Sequence, residues 1–133
     1  MKYELTPDLL TGNALIDTEH RQLFQAINQL TEDCEKGKGR DSLEKTADFL
    51  VSYVAKHFSD EERLQITSKY PAYSTHKQFH EGYKQKLSAA VEEIKQKGPT
   101  IATLGKFNGV VASLVSHIGV EDKRLAAHVK HNS

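Results

Sequence analysis

Seven residues of this chain have the types and spacings of metal ligands: His20, His57, Glu61, His76, His80, His117 and Asp122. His57 and Glu61 stand four apart, as do His76 and His80. In a helix each pair projects from one face, one turn above the other. The apolar residues around the first pair are Leu43, Leu50, Val51, Val54, Phe58 and Leu64, spaced by threes and fours with one adjacent pair. His57 and Glu61 fall on the face these residues define. An imidazole and a carboxylate in an apolar core are costly unless they are paired or bound to a metal.

A lone histidine on an apolar face is ordinarily a core residue hydrogen-bonded to a neighbour, and one His/His pair four apart is a weak signal. Five imidazoles and two carboxylates drawn from four separate stretches are harder to satisfy one by one in a small core. Imidazole with carboxylate suits iron, zinc or manganese better than calcium or magnesium. Seven ligands are too many for one tetrahedral zinc. They fit two metals that share bridging carboxylates, with one position left open.

The elements that must position these residues are helical. A stripe Ile16, His20, Leu23, Phe24, Ile27, Leu30, Cys34 begins near Ala14 and stops at Gly37 and Gly39, which suit a helix end. Asp41, three before Glu44, reads as a variant of the helix-opening box for a second helix running to about Ile66. Ser68-Lys69-Tyr70-Pro71 breaks the pattern, since proline has no amide hydrogen to donate. A third stripe runs Tyr73, His76, His80, Tyr83, Leu87, Val91, Ile94 and closes at Gly98-Pro99. A fourth begins near Thr100 with Ile101, Leu104, Phe107, Val110, Val111, Leu114, His117 and Ile118; Asp122, Leu125 and Val129 continue its apolar side.

Short connections between long helices make antiparallel neighbours, so the expected fold is all-α: an up-down-up-down antiparallel four-helix bundle. Residues 1–133 are read as one domain, with 1–12 as an N-terminal arm and 130–133 as a frayed tail. One spacing is awkward: His117 and Asp122 are five apart, about 140° around an ideal helix. Gly119 between them is expected to allow a local distortion. His128 and His131 are read as solvent-facing, and Cys34 as a small apolar filler.

Composition narrows the function classes. At 133 residues the chain can close one core, and its 18 basic and 18 acidic residues balance. No Lys/Arg run forms a phosphate-binding stripe, so nucleic acid is not an expected partner. One cysteine rules out an internal disulfide framework and fits a reducing, cytoplasmic setting. There is no secretory pattern and no apolar run near about 18 residues, so nothing here is expected to span a membrane.

At these ligand-type residues the chain resembles the hemerythrin family, in particular its bacterial branch. The matching signatures are Ile16-Asp17-x-x-His20, His57-Phe58-x-x-Glu61-Glu62, Tyr70-Pro71 followed by His76-x-x-x-His80, and His117-Ile118-x-x-x-Asp122-Lys123, covering residues 14–128. The resemblance implies a non-haem centre of two iron ions with an oxo or hydroxo bridge. Glu61 and Asp122 would bridge the irons. His76, His80 and His117 would complete one, and His20 and His57 the other, which keeps a position for dioxygen held as hydroperoxide. The paired Glu-x-x-His helices of ferritin-like oxidases are absent. Fewer anionic donors favour binding over catalysis, so the chain is read as a non-enzyme.

The oxygen pocket implied by the resemblance would be lined by Phe58, Gln65, Ser113, Leu114 and Leu125. Three of these depart from the family's habit: Ser113 where Trp is common, Gln65 where Met is common, and Leu125 where an aromatic is frequent. A more open or more polar pocket follows, with faster loss of bound peroxide. The implied function is an oxygen carrier or store, or an oxygen or redox sensor with a fused or partner signalling domain. The alternatives are a di-iron enzyme reducing nitric oxide or peroxide, a domain cut from a larger signalling protein, and a hydrolytic dizinc site.

Overall fold

The structure, a computed structural model, describes residues 3–37 and 39–131. Met1, Lys2, Lys38, Asn132 and Ser133 lie outside the described residues, so the outermost parts of the expected arm and tail are not addressed. The described chain forms α1 (Ala14–Glu35), α2 (Arg40–Ser68), α3 (Tyr73–Lys97), α4 (Ile101–His117), a π turn (Ile118–Asp122) and α5 (Lys123–His131). A short 3-10 turn, Pro7–Leu9, precedes them. Among the described residues there is no strand.

Helix ends follow local chemistry. Asn13 caps α1 by accepting from the Ile16 amide at 3.0 Å. Thr100 and Thr103 form a reciprocal capping box at the start of α4. The α2 start differs from the expected Asp41–Glu44 box: the helix opens two residues earlier, at Arg40, with Gly39 as N-cap and no side-chain cap. Asp41 already lies in the first turn, where its charge suits the helix dipole. Lys69 ends α2 in the left-handed conformation at φ 57°, which lets the Tyr70 amide bond the Gln65 carbonyl at 2.9 Å.

Helices adjacent in sequence pack side by side, α1 on α2, α2 on α3 and α3 on α4, and α5 lies against α2. This is the expected up-down-up-down bundle. The rod from Ile101 to His131 is apolar and long enough to cross a membrane by length and composition alone. Its apolar residues have a nearer use, because Phe107, Val111, Leu114, Ile118 and Leu125 are all buried in the bundle.

The core is not continuous. A large cluster gathers Leu23, Phe24, Ile27, Leu30, Leu50, Val54, Phe58, Leu87, Phe107 and Leu114, and includes the buried Cys34. A small one holds Ile16, Leu125 and Ala126, with Leu64, Tyr70 and Val129 against it. It sits where α2 hands over to α3, here called the Tyr70 end. Between the two lies a layer of buried polar side chains.

The arm is strapped to α1. Tyr3 and Asn28 exchange two hydrogen bonds of 2.8 and 2.7 Å, and the Asp17 carboxylate accepts from the Thr11 and Gly12 amides and the Thr11 hydroxyl. Leu9 comes to rest over Gly119, 3.6 Å from where a Cβ would stand.

Candidate metal centre

All seven ligand-type residues come together in the polar layer: His20 from α1, His57 and Glu61 from α2, His76 and His80 from α3, His117 from α4 and Asp122 from the π turn. Each is buried. The five-residue spacing of His117 and Asp122 is resolved by the π turn. Bonding from i to i+5 adds one residue to a turn, so positions five apart approach one face. Gly119 lies in that turn without a positive φ, so the extra residue, not glycine's backbone freedom, makes the distortion.

The donor atoms divide into two sets. Glu61 turns Oε1 toward the Nε2 atoms of His80 (3.2 Å) and His76 (3.9 Å), and Oε2 toward those of His57 (3.6 Å) and His20 (3.9 Å). Asp122 does the same. Its Oδ1 is 3.1 Å from Nε2 of both His76 and His117, and its Oδ2 is 3.0 Å from Nε2 of His20. One set is therefore His76, His80 and His117; the other is His20 and His57; both include Glu61 and Asp122. The sets are unequal by one imidazole.

Such an arrangement is unfavourable without a cation. Both oxygens of Glu61, both of Asp122, and Nε2 of His20, His57 and His80 are buried with no hydrogen-bond partner among the described residues. Burial, and then the Asp122 charge, push the Glu61 carboxyl well above its usual range. Burial acts on Asp122 as well, but His117, His20 and His76 outweigh it and hold that carboxyl well below its range. Burial drives the His80 imidazole down to about 2, helped by His76, and lowers His57 despite its bond to Glu19. Five imidazoles facing two carboxylates in a buried layer are a donor set for divalent metal, which binds the rings in their unprotonated form.

The ring orientations are fixed from outside. His57 Nδ1 lies 2.9 Å from Glu19 Oε1, and His80 Nδ1 lies 2.9 Å from Glu62 Oε2. Each carboxylate selects the tautomer that leaves Nε2 unprotonated toward the layer. Phe58 stacks on His80 at 3.8 Å, and Phe79 on His117 at 3.9 Å, both nearly parallel. Sequence reading missed Glu19 altogether and gave Glu62 no role. The available signal was that each carboxylate sits next to a ligand-type residue, Glu19 before His20 and Glu62 after Glu61.

The five expected pocket residues fall in three places. Phe58 and Leu114 belong to the large apolar cluster. Leu125 belongs to the small one, and the fully buried Gln65 lies one turn beyond Glu61 toward that same end. Ser113 is exposed, at the rim of a groove of about 410 Å³ between α3 and α4 whose floor includes the buried Tyr83. His131 is exposed as expected. His128 is not solvent-facing: it is half-buried, with Nε2 2.7 Å from the Ser68 carbonyl and its ring 5.2 Å from Tyr70. The α5 helix folds back on α2 and carries His128 inward.

Residues 11–129 match the sequence profile of the Hemerythrin HHE cation binding domain. The chain is 33% identical over 126 residues to bacteriohemerythrin of Pseudomonas aeruginosa, covering 94% of this chain and 80% of the relative. It is 28% identical over 121 residues to bacteriohemerythrin of Campylobacter jejuni, covering 88% and 87%. Against myohemerythrin of Sipunculus nudus it is 40% identical over 74 residues, 55% of each chain.

Proposed function

The chain belongs to the hemerythrin family, and we propose that it is a non-haem di-iron protein that binds dioxygen reversibly without turning it over. The observation that carries this reading is the inequality of the two donor sets around the shared Glu61 and Asp122. The set with three imidazoles is the fuller one. The set with His20 and His57 is one donor short, and an exogenous diatomic ligand belongs there. When bound, a pair of iron ions supplies reversible two-electron exchange with oxygen.

The chain's own residues set the terms. Glu61 and Asp122 each turn one oxygen toward either donor set, and both would hold metal as buried carboxylates. Glu19 and Glu62 keep the proton on the outer nitrogen of His57 and His80. Phe58 and Leu114 bound the layer on the side of the large apolar cluster, so an apolar diatomic molecule meets no polar barrier there. The buried, unpaired Cys34 is in keeping with a reducing, cytoplasmic setting.

The deciding experiment is the visible spectrum of reduced, iron-loaded protein before and after admitting air. A new absorption that fades on degassing supports reversible binding. Its absence in iron-loaded protein refutes the reading, and steady consumption of a reductant with nitric oxide or peroxide would favour the enzymatic alternative. A colourless protein retaining two zinc ions would favour the hydrolytic one.

Between carrier and sensor, the Ser113 rim favours the sensor. A small residue at Ser113 leaves the α3/α4 groove open above Tyr83, whose ring stands edge-on to Phe58 at 5.8 Å and separates that groove from the layer, so oxidation to the diferric state should be faster than with a bulky residue there. That suits a module reporting on oxygen or redox state through a fused or partner signalling domain.

A further inference from the structure

Metal ions would satisfy the Nε2 and carboxylate atoms that face the layer, but other buried polar atoms point elsewhere. They are both amide atoms of Gln65, the Ser68 hydroxyl, and the Nδ1 atoms of His76 and His20. Gln65 is fully buried, and none of these atoms has a hydrogen-bond partner among the described residues.

Most of these groups surround Tyr70. The Tyr70 amide bonds the Gln65 carbonyl at 2.9 Å. Its ring stands edge-on to His76 at 6.3 Å and tilted against His128 at 5.2 Å. His128 in turn reaches the Ser68 carbonyl at 2.7 Å and, being half-buried, touches the surface. The apolar side chains packed at this end are Ile16, Leu64, Leu125, Ala126 and Val129, which have no polar atoms to offer, and the Glu121 and Arg124 charges act on the Tyr70 hydroxyl.

Buried amides and hydroxyls are seldom left unpaired, and internal water is their usual partner where protein groups cannot reach. We propose that the Tyr70 end holds internal water, bound by the Gln65 amide, the Ser68 hydroxyl and the His76 ring N–H, and continuous with solvent past His128. When Nε2 of His76 faces the donor set as an acceptor, its proton sits on Nδ1, so the ring donates to that water. The amide both donates and accepts, and the hydroxyl does the same. The ligand layer thus has a dry side against the large apolar cluster and a wet side here. Water and protons reach the outer edge of one ligand imidazole from the end opposite Phe58 and Leu114. This holds whatever the centre binds, so it fails or stands apart from the oxygen reading.

The test is a high-resolution crystal structure of the iron-loaded protein together with the melting temperatures of Gln65→Leu and Ser68→Ala. The expected result is ordered water within hydrogen-bond distance of the Gln65 amide and the Ser68 hydroxyl. Each variant should then melt at or below the parent temperature, because an anchor for bound water is lost. Direct protein partners for both groups, or an empty apolar cavity beside them, would overturn the proposal. So would a rise in melting temperature of about 3 °C or more in Gln65→Leu, the outcome when a dry, unpaired amide is removed. Should Gln65→Leu fail to fold, the crystal structure and Ser68→Ala decide alone.

Discussion

Glu19 offers the sharpest perturbation of the centre, because it acts on one donor set through a single bond. It is 4% exposed, and its Oε1 lies 2.9 Å from His57 Nδ1. Its other oxygen meets Lys56 Nζ at 3.0 Å, but that lysine is 61% exposed and also holds Asp60 at 2.9 Å. The exposed pair with Lys56 contributes about 0–1 kcal/mol, and Lys56 keeps its separate pair with Asp60 when Glu19 is changed. The bond to His57 is buried and charge-assisted, about 1.5–3 kcal/mol. A neutral amide keeps roughly half of such a bond. Glu19→Gln should therefore weaken metal binding by about 1 kcal/mol, roughly fivefold at 1.4 kcal/mol per decade. Glu19→Ala loses the bond and strands the ring N–H, so about 10–100-fold is expected.

The loss should fall on the His20/His57 set alone. In a chelator titration followed by iron analysis and visible spectrum, the variants should release one iron ahead of the other, where the parent releases the two closer together. Glu62→Ala, which frees His80, should weaken the opposite set. The reasoning is refuted if Glu19→Ala retains both irons at parental affinity. It is equally refuted if Glu19→Ala and Glu62→Ala yield the same half-loaded species.

Three further outcomes are expected. Ser113→Trp should cover the α3/α4 groove over Tyr83 and slow autoxidation of the oxygenated form; a slow parental rate that the substitution leaves unchanged would count against an open groove. Metal-free protein should lose stability as pH falls below about 6.5. Buried His57 and His80 resist protonation, His80 down to about 2, so the unfolded chain binds more protons in that window. Asp122, held low, adds to the loss at more acidic pH, while Glu61, held high, has the opposite sign above 4.5 and only partly offsets the two histidines. Urea midpoints of chelated protein from pH 4 to 7 would check the slope. Gly119→Ala should leave iron content unchanged, since the added Cβ meets Leu9 at an ordinary 3.6 Å and the backbone has no positive φ; lost iron would mean that the π turn does depend on glycine.

What was legible from the sequence was periodicity and residue type, and what was not was anything set by contact between distant segments. The α1, α3 and α4 starts, near Ala14, Tyr73 and Ile101, follow directly from apolar stripes and breaks. The seven ligand-type residues are legible for the same reason, because each interrupts an apolar stripe where a polar group needs a partner. The π turn is a different matter. Its trace in the sequence is a contradiction, two ligand-type residues about 140° apart on an ideal helix, and its resolution depends on packing from other parts of the chain. His117 is held by Phe79 stacking on its ring, and the outer side of the turn is covered by Leu9 of the arm. The inward rotation of His128 depends likewise on where α5 meets α2. Glu19 was hidden because a charged residue beside His20 reads as solvent-facing until Lys56 and His57 of α2 meet it. The division of the core follows from these placements together. Seven polar side chains drawn together leave the apolar residues in separate clusters, Phe58 in one and Leu125 in the other. That separation gives the centre two unlike faces, and it makes Gln65 at the Tyr70 end and Leu114 on the opposite side different kinds of determinant. A change at Leu114 should alter access of an apolar guest, whereas a change at Gln65 should alter hydration.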